Sequence, residues 1–187
     1  CAHKAVSFFI GEFMTCIIAV KGEDGVIYMG ADSAGTGGDF SQRTRNDSKI
    51  CHVGPFMFGF TTSFRMGQLL AHSFVAPDRD PRVSVDKFMS TTFIDSVRSC
   101  LKYGGFASKD SEQESGGQFL VGYEGRIFQV FSDYQVAESI LPYEAVGCGS
   151  DIAMGSLHST LEHTTMFANQ RIKAALEAAE EFSAGVR

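Results

Sequence analysis

A threonine at position 15 directly follows a methionine and begins the apolar segment TCIIAVK. A threonine hydroxyl is a weak nucleophile unless a base removes its proton, and the α-amine of an N-terminal threonine is such a base. If translation begins at Met14, removal of the methionine exposes that amine. The residue pair therefore predicts an N-terminal nucleophile at Thr15.

Residues 1–14 precede this threonine and contain the apolar run AVSFFIG. The run is too short to cross a bilayer, and it lacks the small-residue cleavage site of a secretory signal. We interpret residues 1–14 as a leader, either a propeptide or an extension introduced by cloning. No later segment has the about 18 consecutive apolar residues of a membrane-spanning helix, so we expect no membrane partner.

The composition limits the classes of partner and cofactor. A net charge of −6 over 187 residues gives no electrostatic reason to bind nucleic acid. The five cysteines have irregular spacing without a CxxC pair, which favours a reducing compartment and a cytoplasmic protein. The five histidines form no HExxH motif, and we expect neither a metal nor another cofactor.

The elements alternate between groups of strands and groups of helices. Strand patterns occupy 15–33 and 48–62, and a second hairpin with its turn at Glu124 and Gly125 occupies 118–136. Helical spacing of apolar residues follows in 63–74, 83–105, 151–163 and 167–182, with Ser63 as a candidate N-cap. This order predicts an α+β fold, a four-layer α-β-β-α sandwich of two antiparallel sheets.

The segments TCIIAV and DGVIYMGADSAGT resemble the opening of proteasome β-subunits and of related bacterial proteasome-like peptidases, which are N-terminal-nucleophile (Ntn) hydrolases. The resemblance covers most of residues 15–187 and implies a single Ntn-hydrolase domain. Family members continue with one or two closing strands, so we expect C-terminal strands to be missing here. In the family an acid ends the second strand and a lysine begins the third, which implies Asp32 and Lys49 as partners of Thr15.

The resemblance also implies a division of roles among these three residues. Thr15 would be the nucleophile, and the positive charge of Lys49 would lower the pKa of its hydroxyl and of its amine. Asp32 would orient Lys49 and keep it charged. Each residue alone has a simpler explanation, because threonine is common at strand starts, Asp32 could form a turn, and Lys49 could be a solvated strand end.

Other positions depart from the family pattern. In the family, the N–H of a glycine after the fourth strand helps to bind the oxyanion. This sequence has TTSF there, so the backbone N–H of Thr62 or Ser63 would take that role. The serine that supports the nucleophile's amine is replaced by Cys148, with Ser150 as a substitute. The thiol of Cys148 is alternatively a reactive group or a small buried side chain.

The last helix offers two further candidate supporting residues. Glu180 and Ser183 match the spacing of the family's final motif, and Glu181 matches if the alignment shifts by one residue. Both glutamates equally fit a charged helix face.

The resemblance implies a threonine peptidase that is inactive while its leader is attached. Its substrate would be a peptide or an unfolded protein, and it would form a homo-oligomeric ring, with an ATPase or activator partner left open. Two alternatives remain at this point: a catalytically silent ring-forming scaffold of the same fold, and an amidase that acts on a non-peptide substrate.

Overall fold

The computed structural model describes residues 15–36, 42–110, 113–162 and 165–187. The leader of residues 1–14 lies outside the described residues, as does the end of the helix expected over 151–163.

The strands and helices follow the expected alternation. The strands are β1 Cys16–Lys21, β2 Ile27–Ala31, β3 Ala34–Thr36, β4 Gln42–Thr44, β5 Ile50–Val53, β6 Phe56–Phe60, β7 Ser108–Asp110, β8 Gln113–Ser115, β9 Phe119–Tyr123, β10 Arg126–Val130, β11 Val136–Glu138 and β12 Tyr143–Gly147. The helices are α1 Phe64–His72, α2 Val85–Phe88, α3 Ile94–Tyr103, α4 Ser150–Ser159 and α5 Ala168–Phe182, and a π-helical turn, Met89–Phe93, joins α2 to α3.

Two larger antiparallel sheets organise the chain. One has the strand order β12-β1-β2, and the other has the order β11-β10-β9-β6-β5. Strand β1 is central in the first sheet, so its first residues have hydrogen-bonded neighbours on both sides. Two short hairpins, β3–β4 and β7–β8, stand apart from these sheets.

The side chains of β1 alternate between two hydrophobic clusters, as the period of a strand requires. Cys16, Ile18 and Val20 pack against α4 and α5. Ile17 and Ala19 contact residues of the five-stranded sheet instead. A phenylalanine-rich cluster covers the five-stranded sheet with residues of α1 and α3. Strand β1 is therefore buried on both faces.

Several local expectations are confirmed and others are wrong. Ser63 caps α1 by accepting a hydrogen bond from Arg65 N, and Glu124 and Gly125 form the turn of the second hairpin. The sequence GTGGDFSQRTRND and the sequence FASKDSEQESGG are polar and predict loops, but they contain strands of the hairpins β3–β4 and β7–β8, because these short strands lack alternating apolar residues. Helix α4 ends at Ser159, with Thr160 as its C-cap, and is therefore shorter than expected.

Candidate active site

Three polar side chains that lie far apart in the sequence meet beside the first strand. Thr15 Oγ1 donates to Asp32 Oδ1 at 2.8 Å. Lys49 Nζ donates to Thr15 Oγ1 and to Asp32 Oδ1, the latter at 2.7 Å. The structure therefore brings together the three residues that the resemblance implied as catalytic.

Backbone contacts hold Asp32 at this position. Its carboxylate accepts from Cys16 N at 2.9 Å and from Ala34 N at 3.1 Å, and its own N–H donates to Cys16 O at 3.2 Å. Asp32 lies just after β2, which is paired with β1, so the sheet register sets the distance between Asp32 and Thr15. Lys49 reaches the same point from the residue before β5 in the other sheet.

The cluster is shielded from solvent. Only 4% of the Lys49 side chain and 1% of the Asp32 side chain are exposed. Burial lowers the pKa of Lys49, although the hydrogen bond and the charge of Asp32 oppose this shift. Burial, with the nearby Asp32, raises the pKa of the neighbouring Cys16 thiol to about 12. The Cys16 thiol is therefore protonated at physiological pH, and a protonated thiol is a weak nucleophile.

Cys148 contacts the backbone of Thr15. Thr15 N donates to Cys148 Sγ at 3.3 Å, and Cys148 Sγ lies 3.5 Å from Thr15 O. Cys148 is exposed, which contradicts the interpretation of its thiol as a small buried side chain. Ser150 makes no hydrogen bond to Thr15 among the described residues and begins α4 instead. The sulfur, rather than the Ser150 hydroxyl, is thus the side-chain acceptor for Thr15 N.

The turn of Thr61 to Ser63 leads from β6 into α1. Thr62 has a φ of 28°, a left-handed conformation that favours glycine. Its hydroxyl accepts from Gln118 N at 2.9 Å, which fastens the turn to the start of β9. The Thr62 and Ser63 N–H groups donate no hydrogen bond within the described residues.

Ser183 contacts a residue next to Thr15, whereas Glu180 and Glu181 do not. Ser183 ends α5, and its hydroxyl donates to Cys148 Sγ at 3.5 Å. Glu180 and Glu181 are exposed on α5 and have no hydrogen bond to the cluster among the described residues. The charged-face interpretation fits both glutamates, whereas Ser183 is connected to the Thr15 backbone through the Cys148 thiol.

Two contributions to the site were not anticipated from the sequence. Gly147 has a φ of 107°, and a Cβ there would collide with the Thr15 carbonyl. Arg187 O accepts from Ser33 N at 2.6 Å, which ties the last described residue to the residue after Asp32. The two glycines of VGCGS were a signal for the close contact between Gly147 and Thr15. Nothing in the sequence indicated the hydrogen bond between Ser33 and Arg187.

A cavity of about 390 Å³ lies beside Gly147 and Cys148. It is lined by Cys148, Ser150 and Gly147 from the β12–α4 junction and by Gln118 and Gln129 from the opposite sheet. Because Cys148 contacts the Thr15 backbone, the cavity lies close to Thr15.

No group of three metal-ligating side chains occurs in the part of the chain that the structure describes. Within the same residues, every helix is too short or too polar to cross a membrane.

The architecture is proteasome-like, since it is shared with HslV and with Anbu. The chain is similar to Thiobacillus denitrificans BPH in complex with epoxomicin, with a TM-score of 0.75 and 25% identity over 92% of this chain and 93% of that chain. HslV from Trypanosoma brucei matches with a TM-score of 0.62 and 13% identity, over 92% and 94% of the two chains. Anbu (ancestral beta-subunit) from Yersinia bercovieri matches with a TM-score of 0.64 and 14% identity, over 92% and 77%.

No protein-family model matches the sequence, and no curated protein matches it. Because the sequence identities to HslV and Anbu are only 13% and 14%, these likenesses concern the fold alone.

Proposed function

We propose that this protein is a threonine-type peptidase of the proteasome-like Ntn-hydrolase family, with Thr15 as its N-terminal nucleophile. The observation that carries the proposal is the buried contact of Thr15 Oγ1 with both Lys49 and Asp32. A threonine that served only to begin a strand would not need hydroxyl contacts with a buried cation and a buried carboxylate.

The fold supports this proposal. Apolar contacts connect α1 and α3 to the five-stranded sheet, that sheet to β1, and β1 to α4 and α5. This order agrees with a four-layer α-β-β-α sandwich in a single domain over 15–187. The similarity to BPH, whose structure is known in complex with epoxomicin, adds a reason to expect a reactive nucleophile.

The contacts suggest how one peptide bond would be cleaved. The neutral α-amine of Thr15 takes the Oγ1 proton, directly or through a water, and Oγ1 attacks the substrate carbonyl carbon. The Thr62 and Ser63 N–H groups would bind the resulting oxyanion. The proton then passes to the leaving amine as the C–N bond breaks, and water hydrolyses the ester to release the acid and regenerate Thr15.

Lys49 would remain charged through these steps and stabilise negative charge as it forms on Oγ1. The site as described needs no metal or other cofactor. Free thiols at all four described cysteines fit action in a reducing compartment such as the cytoplasm.

The leader controls this mechanism. While residues 1–14 are attached, Thr15 N is a peptide nitrogen, which cannot serve as a base. We therefore expect protein that begins at Thr15 to be active and the chain with residues 1–14 attached to be inactive, unless autolysis at the Met14–Thr15 bond releases the amine.

Covalent labelling tests the proposal most directly. Protein expressed from Met14, with the methionine removed, is incubated with epoxomicin and analysed by intact mass and peptide mapping. We expect one adduct on Thr15, none in the Thr15→Ala variant, and none on protein that retains residues 1–14. Labelling that survives Thr15→Ala, or that maps to Cys148, would reject Thr15 as the nucleophile.

A silent scaffold of the same fold is the second candidate, favoured by the left-handed Thr62 at the expected oxyanion turn and by a thiol at position 148. An assembled protein that begins at Thr15 yet neither reacts with epoxomicin nor cleaves peptides would support the scaffold. Labelling without peptide cleavage would instead support an amidase acting on a non-peptide substrate.

A further inference from the structure

We propose that the Thr62 hydroxyl is a positioning group, which holds the turn of Thr61 to Ser63 in a left-handed conformation that a glycine would adopt unaided. This inference rests on the proposed peptidase function and deepens it. It comes from a hydroxyl and a hydrogen bond that the proposed mechanism does not use.

The backbone conformation of Thr62 is unusual for its residue type. Thr62 is the β-branched member of the three described non-glycine residues with a positive φ, and its φ is 28°. A β-branched side chain is strained there, and such a conformation persists only where neighbouring contacts impose it. Glycine has no Cβ and adopts it freely. Thr62 therefore needs a contact that holds it.

Gln118 provides this contact from the start of β9. Its N–H donates to Thr62 Oγ1 at 2.9 Å. Its carbonyl oxygen accepts from Thr61 N at 3.2 Å and from Thr61 Oγ1 at 3.0 Å. The approach is close because residue 117 is glycine: a Cβ there would collide with Met66 Sδ and lie 3.0 Å from Thr62 Cβ. The backbone of one residue thus binds two successive threonines of the turn.

The turn lies next to the catalytic cluster. Phe60 precedes it, and Phe60 N donates to Lys49 O at 3.0 Å. Phe64 follows it, and the centre of the Phe64 ring lies 5.9 Å from Lys49 Nζ, which contacts the nucleophilic hydroxyl. Gln118 also lines the same cavity as Cys148, whose sulfur contacts the backbone of the nucleophile. The residues that flank and bind the turn are therefore neighbours of the cluster.

The conformation of Thr62 determines how the turn can bind an anion. The N–H groups of Thr62 and Ser63 lie on either side of the Thr62 Cα, so φ and ψ of Thr62 set their relative direction. Successive N–H groups in a turn can form a concave site for an anion. If Thr62 moved to a negative φ, the two N–H groups would diverge from the direction that the oxyanion requires. Since this charge develops only after Thr15 attacks, the loss would appear in kcat rather than in KM.

Three substitutions at position 62 test the role of the hydroxyl in protein that begins at Thr15. Thr62→Ser should keep kcat near that of the natural sequence, because serine accepts the same hydrogen bond. Thr62→Val has a similar shape but no acceptor, and it should lower kcat by about 10- to 100-fold with little change in KM. Thr62→Gly also lacks the hydroxyl, but it should be more active than Thr62→Val because glycine needs no contact to adopt a positive φ.

A peptide aldehyde with the sequence of the fluorogenic substrate separates positioning from folding. Thr15 Oγ1 bonds to the aldehyde carbon, the carbonyl π pair moves to the oxygen, and the Oγ1 proton passes to the α-amine. The adduct carries the same anionic oxygen as the intermediate of peptide cleavage. Its inhibition constant should therefore rise in Thr62→Val by the factor by which kcat/KM falls. We express kcat per Thr15 labelled by epoxomicin at completion, because misfolding removes labelled sites without changing the rate of each.

Thr160→Val is the matched control, because it also removes a partly buried threonine hydroxyl. Thr160 Oγ1 donates to Ser156 O at 2.9 Å and lies 3.3 Å from Arg171 Nε, at the end of α4 away from the cluster. Thr160→Val should lose stability in thermal unfolding but keep both kcat per labelled site and the inhibition constant of the aldehyde.

An unchanged kcat per labelled site in Thr62→Val would overturn the positioning role. So would a Thr62→Gly variant less active than Thr62→Val, or a loss confined to KM with unchanged aldehyde inhibition. If the natural sequence is labelled on Thr15 and any of these results is found, the positioning role is wrong and the peptidase proposal stands. If the natural sequence beginning at Thr15 is not labelled, both proposals fail.

Discussion

The thiol of Cys148 is the acceptor that the Thr15 backbone nitrogen uses in this structure. A thiol sulfur is a weak acceptor, and a hydroxyl would hold the nitrogen more firmly. We predict that Cys148→Ser raises kcat of the form beginning at Thr15 by about two- to tenfold, the worth of one ordinary hydrogen bond. Steady-state cleavage of one fluorogenic peptide measures the effect, and Cys148→Val, which has no such acceptor, should lower kcat.

The same exposed thiol makes oxidation a useful check on this assignment. Peroxide should inactivate the natural sequence, because an oxidised sulfur beside Thr15 adds bulk and charge. Cys148→Ser should be resistant, and thiol reductant should restore a mildly oxidised sample. If both forms lose activity at the same rate, Cys148 does not contact the working nucleophile.

Lys49 and Asp32 form a buried ion pair, which links catalysis to stability. Lys49→Ala should abolish activity and lower the free energy of unfolding by about 3–5 kcal/mol, because it leaves the Asp32 carboxylate buried without a cation. Urea denaturation of this variant, of Asp32→Ala and of the double variant measures the coupling. The double variant should lose less than the sum of the two single losses, and strictly additive losses would contradict the pairing.

At the scale of elements, the junction between β12 and α4 sets how closely the chain approaches Thr15. We predict that Gly147→Ala lowers stability by about 1–3 kcal/mol and strongly reduces activity, because its positive φ is strained for alanine and its Cβ would push on the Thr15 carbonyl. Thermal unfolding and peptide cleavage give the two readouts.

Gly25→Ala is the control for this prediction. Gly25 also has a positive φ, of 77°, but a Cβ there meets nothing within 4 Å. The Gly25→Ala variant should therefore lose some stability through backbone strain and keep its activity. Equal activity losses in the two variants would mean that the close contact of Gly147 with Thr15 is unimportant.

The elements that were predictable from the sequence are those with local signals. Ser63 precedes a helical pattern and caps α1, and the Glu124–Gly125 pair turns a hairpin between two apolar strands. The meeting of Thr15 with Asp32 and Lys49 followed only from a family resemblance. No local pattern predicts it, because Lys49 comes from a different sheet and the contact depends on how the two sheets pack.

The remaining features depend on contacts between distant residues. The π-helical turn Met89–Phe93 interrupts a segment whose apolar spacing predicts one continuous helix, and Met89 and Phe93 are both buried there. The stacking of Arg45 on Phe64 joins a short polar hairpin to a helix start. The residue spacing in neither segment predicts a contact with the other segment.

At the scale of the whole molecule, large apolar side chains remain exposed between β11 and β12 and at both ends of α5. Ile140 is fully exposed, and Phe167 and Phe182 are each 76% exposed. A groove of about 970 Å³ lies beside Phe167 and is also lined by Tyr28 and Leu161. Apolar surface of this kind is typical of a protein that associates with its own copies. The homo-oligomeric ring implied by the sequence resemblance would cover it.

We therefore predict that the form beginning at Thr15 is a homo-oligomer larger than a dimer. Light scattering at micromolar concentration should give a mass well above 20.3 kDa, and a single species of that mass would contradict the prediction. Replacing Ile140 and Phe167 by serine should lower the observed mass, since association would bury both side chains. Lys173→Ser is the matched control, because the Lys173 side chain is also 76% exposed on α5 but contributes a charge rather than an apolar surface. If both variants change the mass equally, Ile140 and Phe167 do not form the interface, and a ring would have to assemble through another surface.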